Sequence, residues 1–149
     1  MMCPAMKFAK KVHNKLLNHE IMESSKHSFY FIRDPFGHPR ITVCIMLQNG
    51  NFHRGVSICS LSEKAISKKV GKCLAYKRAV KAMMSKKSGM PILRDEALII
   101  QEMCDVGMIT ATWKSEYNIK LTLYENAWWP SQLERININK EAGVPNECA

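Results

Sequence analysis

The hydrophobic positions along the chain change their period from helical to alternating. Residues 4–23 place apolar side chains close to helical spacing, which predicts an amphipathic helix. Three stretches rich in β-branched and aromatic residues follow at 28–32, 40–47 and 52–60. The Asn-Gly pair at 49–50 is a strong signal for a tight hairpin. The pattern therefore predicts one helix and then a meander of three antiparallel strands.

A second helix is predicted from about residue 60, where Ser60 and Glu63 have the spacing of a capping box, to the Gly and Pro at 89–91. One of its faces is apolar and carries Ile66, Val70, Cys73, Val80 and Met84. The other face carries Lys64, Lys68, Lys72, Ala75, Ala79 and Ala82. We expect the apolar face to pack on the sheet and the lysine face to point outward.

The last third of the chain reads as a separate unit. Residues 93–107 predict a helix that ends at a glycine, and residues 108–113 and 119–124 alternate as a β-hairpin does. Residues 131–149 are polar and weakly patterned, so this tail is predicted to be loosely ordered.

The predicted fold class is therefore α+β, with an α-β-β-β-α core on an antiparallel sheet, followed by a helix and a β-hairpin. The predicted parts are a basic domain at 1–88, an extension at 89–130 and a polar tail at 131–149.

Charge is concentrated in one part of the chain. The 149 residues carry a net charge of +9, and residues 63–87 alone hold nine Lys or Arg and one acid. Ordinary surface helices mix the two signs to form pairs one turn apart, so this imbalance indicates an anionic partner.

The expected compartment is the cytoplasm. No apolar run is long enough to cross a membrane, and the first residues lack the pattern of a secretion signal. The six cysteines, several of them in apolar stretches, are expected to be reduced thiols.

The basic helix resembles the second helix of the double-stranded-RNA-binding domain. The resemblance covers roughly residues 5–87 and rests on Ser67, Lys68, Lys69, Gly71 and Lys72, with Ala75, Ala79 and Ala82 in register after them, and on the turn Gly37-His38-Pro39. It implies that the three lysines bind phosphates across a major groove, and that the turn with His38 contacts a minor groove. Lys64, one helical turn earlier, joins the predicted nucleic-acid site.

Two positions depart from the pattern of that family. Residues 61–66 stand between the strand and the Ser-Lys-Lys, where the family has Gly-x-Gly, and Gly71 stands where the family prefers Ala. The strand followed by a lysine-rich helix also looks like small uncharacterised bacteriophage proteins. That similarity implies a phage accessory protein acting in the host cytoplasm.

No motif for catalysis or for a metal site is present in the sequence. It has no G-x-S-x-G, no Gly-rich phosphate loop, no H-E-x-x-H and no C-x-x-C pair. We therefore expect neither an enzyme nor a bound cofactor. Trp128 and Trp129 are either core residues or an exposed aromatic patch that binds a partner.

Three functions remain open from the sequence. The first is a non-enzymatic protein that binds duplex RNA, duplex DNA or a nucleoprotein complex through the basic helix, and that interferes with host nucleases or defence. The second is a stoichiometric inhibitor of a host enzyme or defence complex, bound by protein–protein contacts. The third is a winged-helix-like DNA-binding regulator.

Overall fold

The computed structural model describes residues 25–63, 65–104 and 114–141. Its strands are β1 (Lys26–Arg33), β2 (Pro39–Gln48) and β3 (Asn51–Ile58). Its helices are α1 (Lys68–Ser85), α2 (Arg94–Met103) and α3 (Leu123–Glu141). The α+β class and the antiparallel sheet predicted from the sequence are confirmed. The predicted helix at 4–23, the first strand of the predicted hairpin and the last residues of the tail lie outside the described residues.

The three strands form one sheet in the order β1-β2-β3, with both neighbouring pairs antiparallel. Asn49 and Gly50 link β2 to β3 and have φ angles of 49° and 77°. Two successive positive φ angles are those of a type I′ turn, whose twist matches that of the strands. The hairpin predicted from this pair is confirmed.

One side of the sheet is covered by α1, whose small residues face the strands. Its buried residues are Ala75, Tyr76, Ala79, Ala82 and Met83. A Cβ placed on Gly55 of β3 would lie 1.9 Å from the carbonyl oxygen of Ala75. The backbones of α1 and β3 are therefore so close that neither has room for a larger side chain at the crossing.

The orientation predicted for this helix was wrong. Val70 and Met84, on the face predicted to pack, are 57% and 42% exposed, and the alanine face packs instead. The prediction weighed side chains by apolar character alone. Close approach to Gly55 selects small side chains at the crossing, so Ala75 and Ala79 pack there, while Val70 and Met84 are left on the surface.

The other side of the sheet holds the larger core. Isoleucine and valine side chains from all three strands pack there against Ala97 and Ile100 of α2 and against Trp129 of α3. Arg54 is buried in the same layer, and its guanidinium contacts the carboxylates of Glu116 and Glu125. The molecule thus has three layers, with α1 on one side of the sheet and α2 and α3 on the other.

Three element boundaries differ from the prediction. The basic helix begins at Lys68 and its N-cap is Ser67, whose hydroxyl accepts a hydrogen bond from Val70 N, so the predicted start near Ser60 is wrong. The second strand of the predicted hairpin is also wrong, because residues 119–122 lead directly into α3. Helix α3 continues to Glu141, so much of the predicted loose tail is helical.

The start of α3 is fixed by a capping box. The hydroxyl of Thr122 accepts a hydrogen bond from Glu125 N at 3.2 Å, and the Glu125 carboxylate accepts one from Thr122 N at 3.0 Å. The sequence signal for this box, Thr122-x-x-Glu125, lies inside an alternating stretch that reads as a strand.

Candidate nucleic-acid interface

The predicted lysine site lies at the N-terminal end of α1. Lys68 and Lys69 are exposed in the first turn, and Lys72 follows one turn later and is half-buried. Lys64 lies outside the described residues. The structure thus brings three of the four predicted lysines together at one end of one helix.

Lys68 and Lys69 are not neutralised within the part of the chain that the structure describes. No described carboxylate oxygen lies within 4 Å of either ammonium group, and neither lysine takes part in the ion pairs of Asp34, Glu116 and Glu125. Two adjacent uncompensated cations on a helix with few acids nearby produce a local positive potential that attracts anions.

Two aromatic rings of β1 lie beneath Lys68 and Lys72. The Lys68 ammonium is 5.0 Å from the centre of the Phe31 ring, and the Lys72 ammonium is 5.7 Å from Phe29 and 5.9 Å from Phe31. At these distances a cation is attracted to the negative face of a ring. Both rings are half-buried, so the site combines positive charge with aromatic surface.

Phe29 and Phe31 were missed as site residues. Their signal is the alternation Phe29-Tyr30-Phe31, which places the two phenylalanines on one face of β1 and the tyrosine on the other. Only the position of α1 shows which of those faces adjoins the lysines.

The turn between β1 and β2 is built around the carboxylate of Asp34. One oxygen accepts hydrogen bonds from Phe36 N and His38 N, and the other accepts one from Arg40 Nε at 3.1 Å. Burial alone would raise the pKa of Asp34, but these hydrogen bonds outweigh burial and hold the pKa below its ordinary value. The turn is therefore a rigid element.

His38 is exposed on this turn, with its Nδ1 3.5 Å from Asp34 Oδ2. Phe36, two residues earlier, is 79% exposed. Pro39 and Arg40, which follow His38, line a cleft of about 510 Å³ together with Ser67 and Gly71 of α1. Pro39, the last residue of the predicted turn, thus lines one cleft with the first turn of the lysine helix, whereas His38 itself does not line it. Whether His38 contacts a nucleic acid stays a prediction.

Trp128 and Trp129 pack against the sheet from α3. Trp129 is 5% exposed, and its ring lies edge-on to Phe52 with centroids 5.5 Å apart. Trp128 is half-buried and lies edge-on to Tyr30 at 5.2 Å. Trp129 is thus a core residue of the described fold, and its burial leaves no exposed ring for a partner. Partner binding through Trp128 stays a prediction.

The described part of the chain shows no arrangement typical of a metal centre, because no three His, Cys, Asp or Glu side chains come together within it. Its four described cysteines, Cys44, Cys59, Cys73 and Cys104, form no disulfide. Burial raises the pKa of Cys104 to about 11, which disfavours a reactive thiolate. Among the helices described, none is long and apolar enough to cross a membrane.

Comparisons with protein-family models, with curated proteins and with solved structures give no match to this chain.

Proposed function

We propose that this protein is a non-enzymatic binding protein that holds a nucleic acid by its phosphate backbone, through the N-terminal end of α1. The observation that supports this most directly is the exposed pair Lys68 and Lys69, with no carboxylate partner in the described part of the chain. Lysine ammonium groups bind phosphates without reading bases. Binding is therefore expected to depend weakly on sequence and strongly on salt.

The half-buried rings of Phe29 and Phe31 add a second mode of contact. Bases of an unpaired strand can stack on aromatic side chains that lie beside a basic surface, whereas the bases of a duplex are already stacked. Tighter binding of single strands than of a duplex would therefore indicate that the two rings bind bases, and equal or weaker binding would indicate that the lysines alone bind the nucleic acid.

The test is a set of binding isotherms for duplex RNA, duplex DNA and single strands at two salt concentrations. The variant Lys68→Gln/Lys69→Gln is compared with Lys120→Gln/Arg135→Gln, which removes the same charge from exposed residues outside α1. For a duplex, losing two phosphate contacts reduces the slope of log affinity against log salt by about 2. The control keeps the parent slope. No binding at low salt, or equal losses in both variants, contradicts the proposal.

A second candidate function is supported by the outward face of α1. Val70, Leu74 and Met84 are exposed there beside the exposed Lys77 and Lys81. Exposed apolar residues within a charged surface are typical of protein interfaces. This face suits an acidic protein surface with an apolar centre, as expected for a stoichiometric inhibitor of a bacterial enzyme or defence complex.

The two candidates are separated by Val70→Ser/Met84→Ser, with Leu123→Ser as a control in which an exposed leucine outside α1 is removed. An inhibitor retains a host enzyme and blocks its activity at a one-to-one ratio in the parent and the control, and loses both in the double variant. A nucleic-acid-binding protein keeps its nucleic-acid affinity in all three.

A further inference from the structure

A second basic site lies at the opposite end of α1 from Lys68 and Lys69. Residues of the last turns of α1 and of the segment after it enclose a cleft of about 410 Å³, within the size range of small-molecule sites. Its cations are Arg78, Lys81 and Lys87, and no carboxylate is among the described residues that line it. Hydroxyl groups of Ser85, Ser88 and Ser115 complete its polar lining.

One wall of this cleft is held in place by a single residue of β3. The guanidinium of Arg78 donates a hydrogen bond to Val56 O at 3.1 Å, and the hydroxyl oxygen of Ser115 accepts one from Val56 N at 3.1 Å. Ser115 also pairs with Gly89 through two backbone hydrogen bonds. The side chains of Arg78 and Ser115 are thus positioned by the sheet before any ligand arrives, which lowers the entropic cost of binding.

Arg78 is the informative member of this cluster. It is half-buried, and the bond to Val56 O uses one of its five N–H donors, while no other acceptor among the described residues takes the rest. Burial lowers the pKa of Arg78, with no carboxylate to offset the cost. A guanidinium whose remaining N–H groups are available, next to two lysines, can form two parallel hydrogen bonds to the oxygens of a phosphoryl group.

We propose that this cleft is a phosphoryl-binding site. Arg78, Lys81 and Lys87 bind the anion through their charged groups. The Ser115 hydroxyl accepts a hydrogen bond from Val56 N, so its own hydrogen remains available for a hydrogen bond to the anion. The site does not depend on the function proposed for Lys68 and Lys69. The phosphoryl group comes either from a free phosphorylated compound or from the backbone of a nucleic acid that extends along α1.

The test is a titration of the full chain with inorganic phosphate, followed by amide resonances in nuclear magnetic resonance spectra, with chloride at equal ionic strength as the reference. We expect saturable shifts at Ser88, Gly89 and Ser115. The variant Lys81→Gln/Lys87→Gln weakens phosphate binding about tenfold or more, as expected for two charge-assisted hydrogen bonds. Lys120→Gln/Arg135→Gln, which removes the same charge at exposed positions outside α1, leaves phosphate binding unchanged.

The source of the phosphoryl group is settled by adding a short duplex to the phosphate-saturated protein. Displacement of phosphate by the duplex assigns the cleft to a nucleic-acid backbone, and retention of phosphate assigns it to a free phosphorylated compound. Lys68→Gln/Lys69→Gln keeps the phosphate shifts in either case, so this site and the first can fail separately. Shifts that do not saturate, or that respond equally to both double variants, overturn the proposal.

Discussion

The two sides of the sheet are packed by opposite means. On the α1 side, the elements cross at small residues, with Gly55 of β3 against the backbone of Ala75 and Ala79, and the larger Tyr76 and Met83 of α1 are buried on the same side. On the other side, contact is made through large side chains such as Ile45, Ile100 and Trp129. The first arrangement brings backbones together, and the second fills a wider gap with apolar volume.

The two sides also treat charge differently. The cations of α1 lie at the rim or on the surface, where they are exposed or half-buried. On the opposite side Arg54 and Glu125 are fully buried, and each satisfies the other within the protein. Burial alone would raise the pKa of Glu125, but the Arg54 guanidinium outweighs burial and holds that pKa below its ordinary value. The charges on the α2 and α3 side are therefore paired inside the protein, whereas those on the α1 side face the solvent.

The largest expected effect comes from breaking the buried pair. Glu125→Gln leaves the Arg54 charge with Glu116 alone and weakens the cap of α3, so we expect a loss of about 3–5 kcal/mol in the free energy of unfolding. Urea denaturation followed by circular dichroism measures the loss. Glu134→Gln, at an exposed position of the same helix, is the control. An unchanged midpoint for Glu125→Gln would mean that the pair does not stabilise this side.

The next effect tests the close approach of α1. Gly55→Ala places a Cβ 1.9 Å from the Ala75 carbonyl oxygen, which belongs to the backbone and cannot rotate away. Overpacking of this kind costs about 3 kcal/mol. Gly89→Ala is the matched control, since a Cβ there meets nothing within 4 Å and its φ is not positive. Equal unfolding midpoints for the two variants would show that α1 lies farther from β3.

A pH dependence is expected from His27, which is buried on the α1 side against Phe29 and Tyr76. Burial lowers the pKa of His27 to about 4, below the ordinary 6.5, so the unfolded chain binds the proton more tightly. Stability is then complete above the unfolded pKa and falls as the pH drops toward the folded one. Between pH 6 and pH 5 the free energy of unfolding decreases by about 1 kcal/mol.

Urea titrations at the two pH values, compared between the parent and His27→Gln, isolate this contribution. The variant loses the contribution of His27 to the change of the free energy of unfolding with pH, while other titrating groups contribute equally in both proteins. An identical pH dependence of unfolding in the two proteins would assign it to other groups.

The smallest effect concerns Gly71, where α1 crosses β2. A Cβ there would lie 2.6 Å from the Thr42 hydroxyl oxygen, so the glycine makes room for that side chain. Gly71→Ala gains up to about 1 kcal/mol of helix propensity but loses part of it to this contact. In a Thr42→Ala background the gain is expected in full. A thermodynamic cycle over the four proteins measures the coupling, and an additive cycle would show that Thr42 is not the obstacle.

Local signals in the sequence were sufficient for the sheet. The β-branched stretches, the turn at Asp34 to His38 and the Asn49-Gly50 pair specify three strands and both of their connections through neighbouring residues alone. The two faces of β3 were also predictable, because Phe52, Arg54 and Val56 on one face alternate with smaller or polar residues on the other. Such patterns need no knowledge of what packs against them.

Features that depend on distant partners were not predictable in this way. The face of α1 that packs is decided by Gly55, thirteen residues before the helix, and no periodicity of the helix contains that information. The start of α3 was misread because Ile119-Lys120-Leu121-Thr122 alternates as a strand does, while its capping glutamate serves Arg54 far away in the chain. The exposure of Lys68 and Lys69 was predictable, because charge clustering is a local property of the sequence.

Glu125 connects the start of α3 to the middle of the sheet. Its carboxylate accepts hydrogen bonds from Thr122 N and, at an O–O distance of 2.9 Å, from the Tyr30 hydroxyl, and it pairs with Arg54. A chain truncated before residue 114 would remove the two carboxylates that pair with the buried Arg54 guanidinium, and the acceptor of the Tyr30 hydroxyl, from an apolar layer. The β-meander is therefore not expected to persist as an autonomous fragment, and the C-terminal helix should melt together with the strands in one cooperative transition.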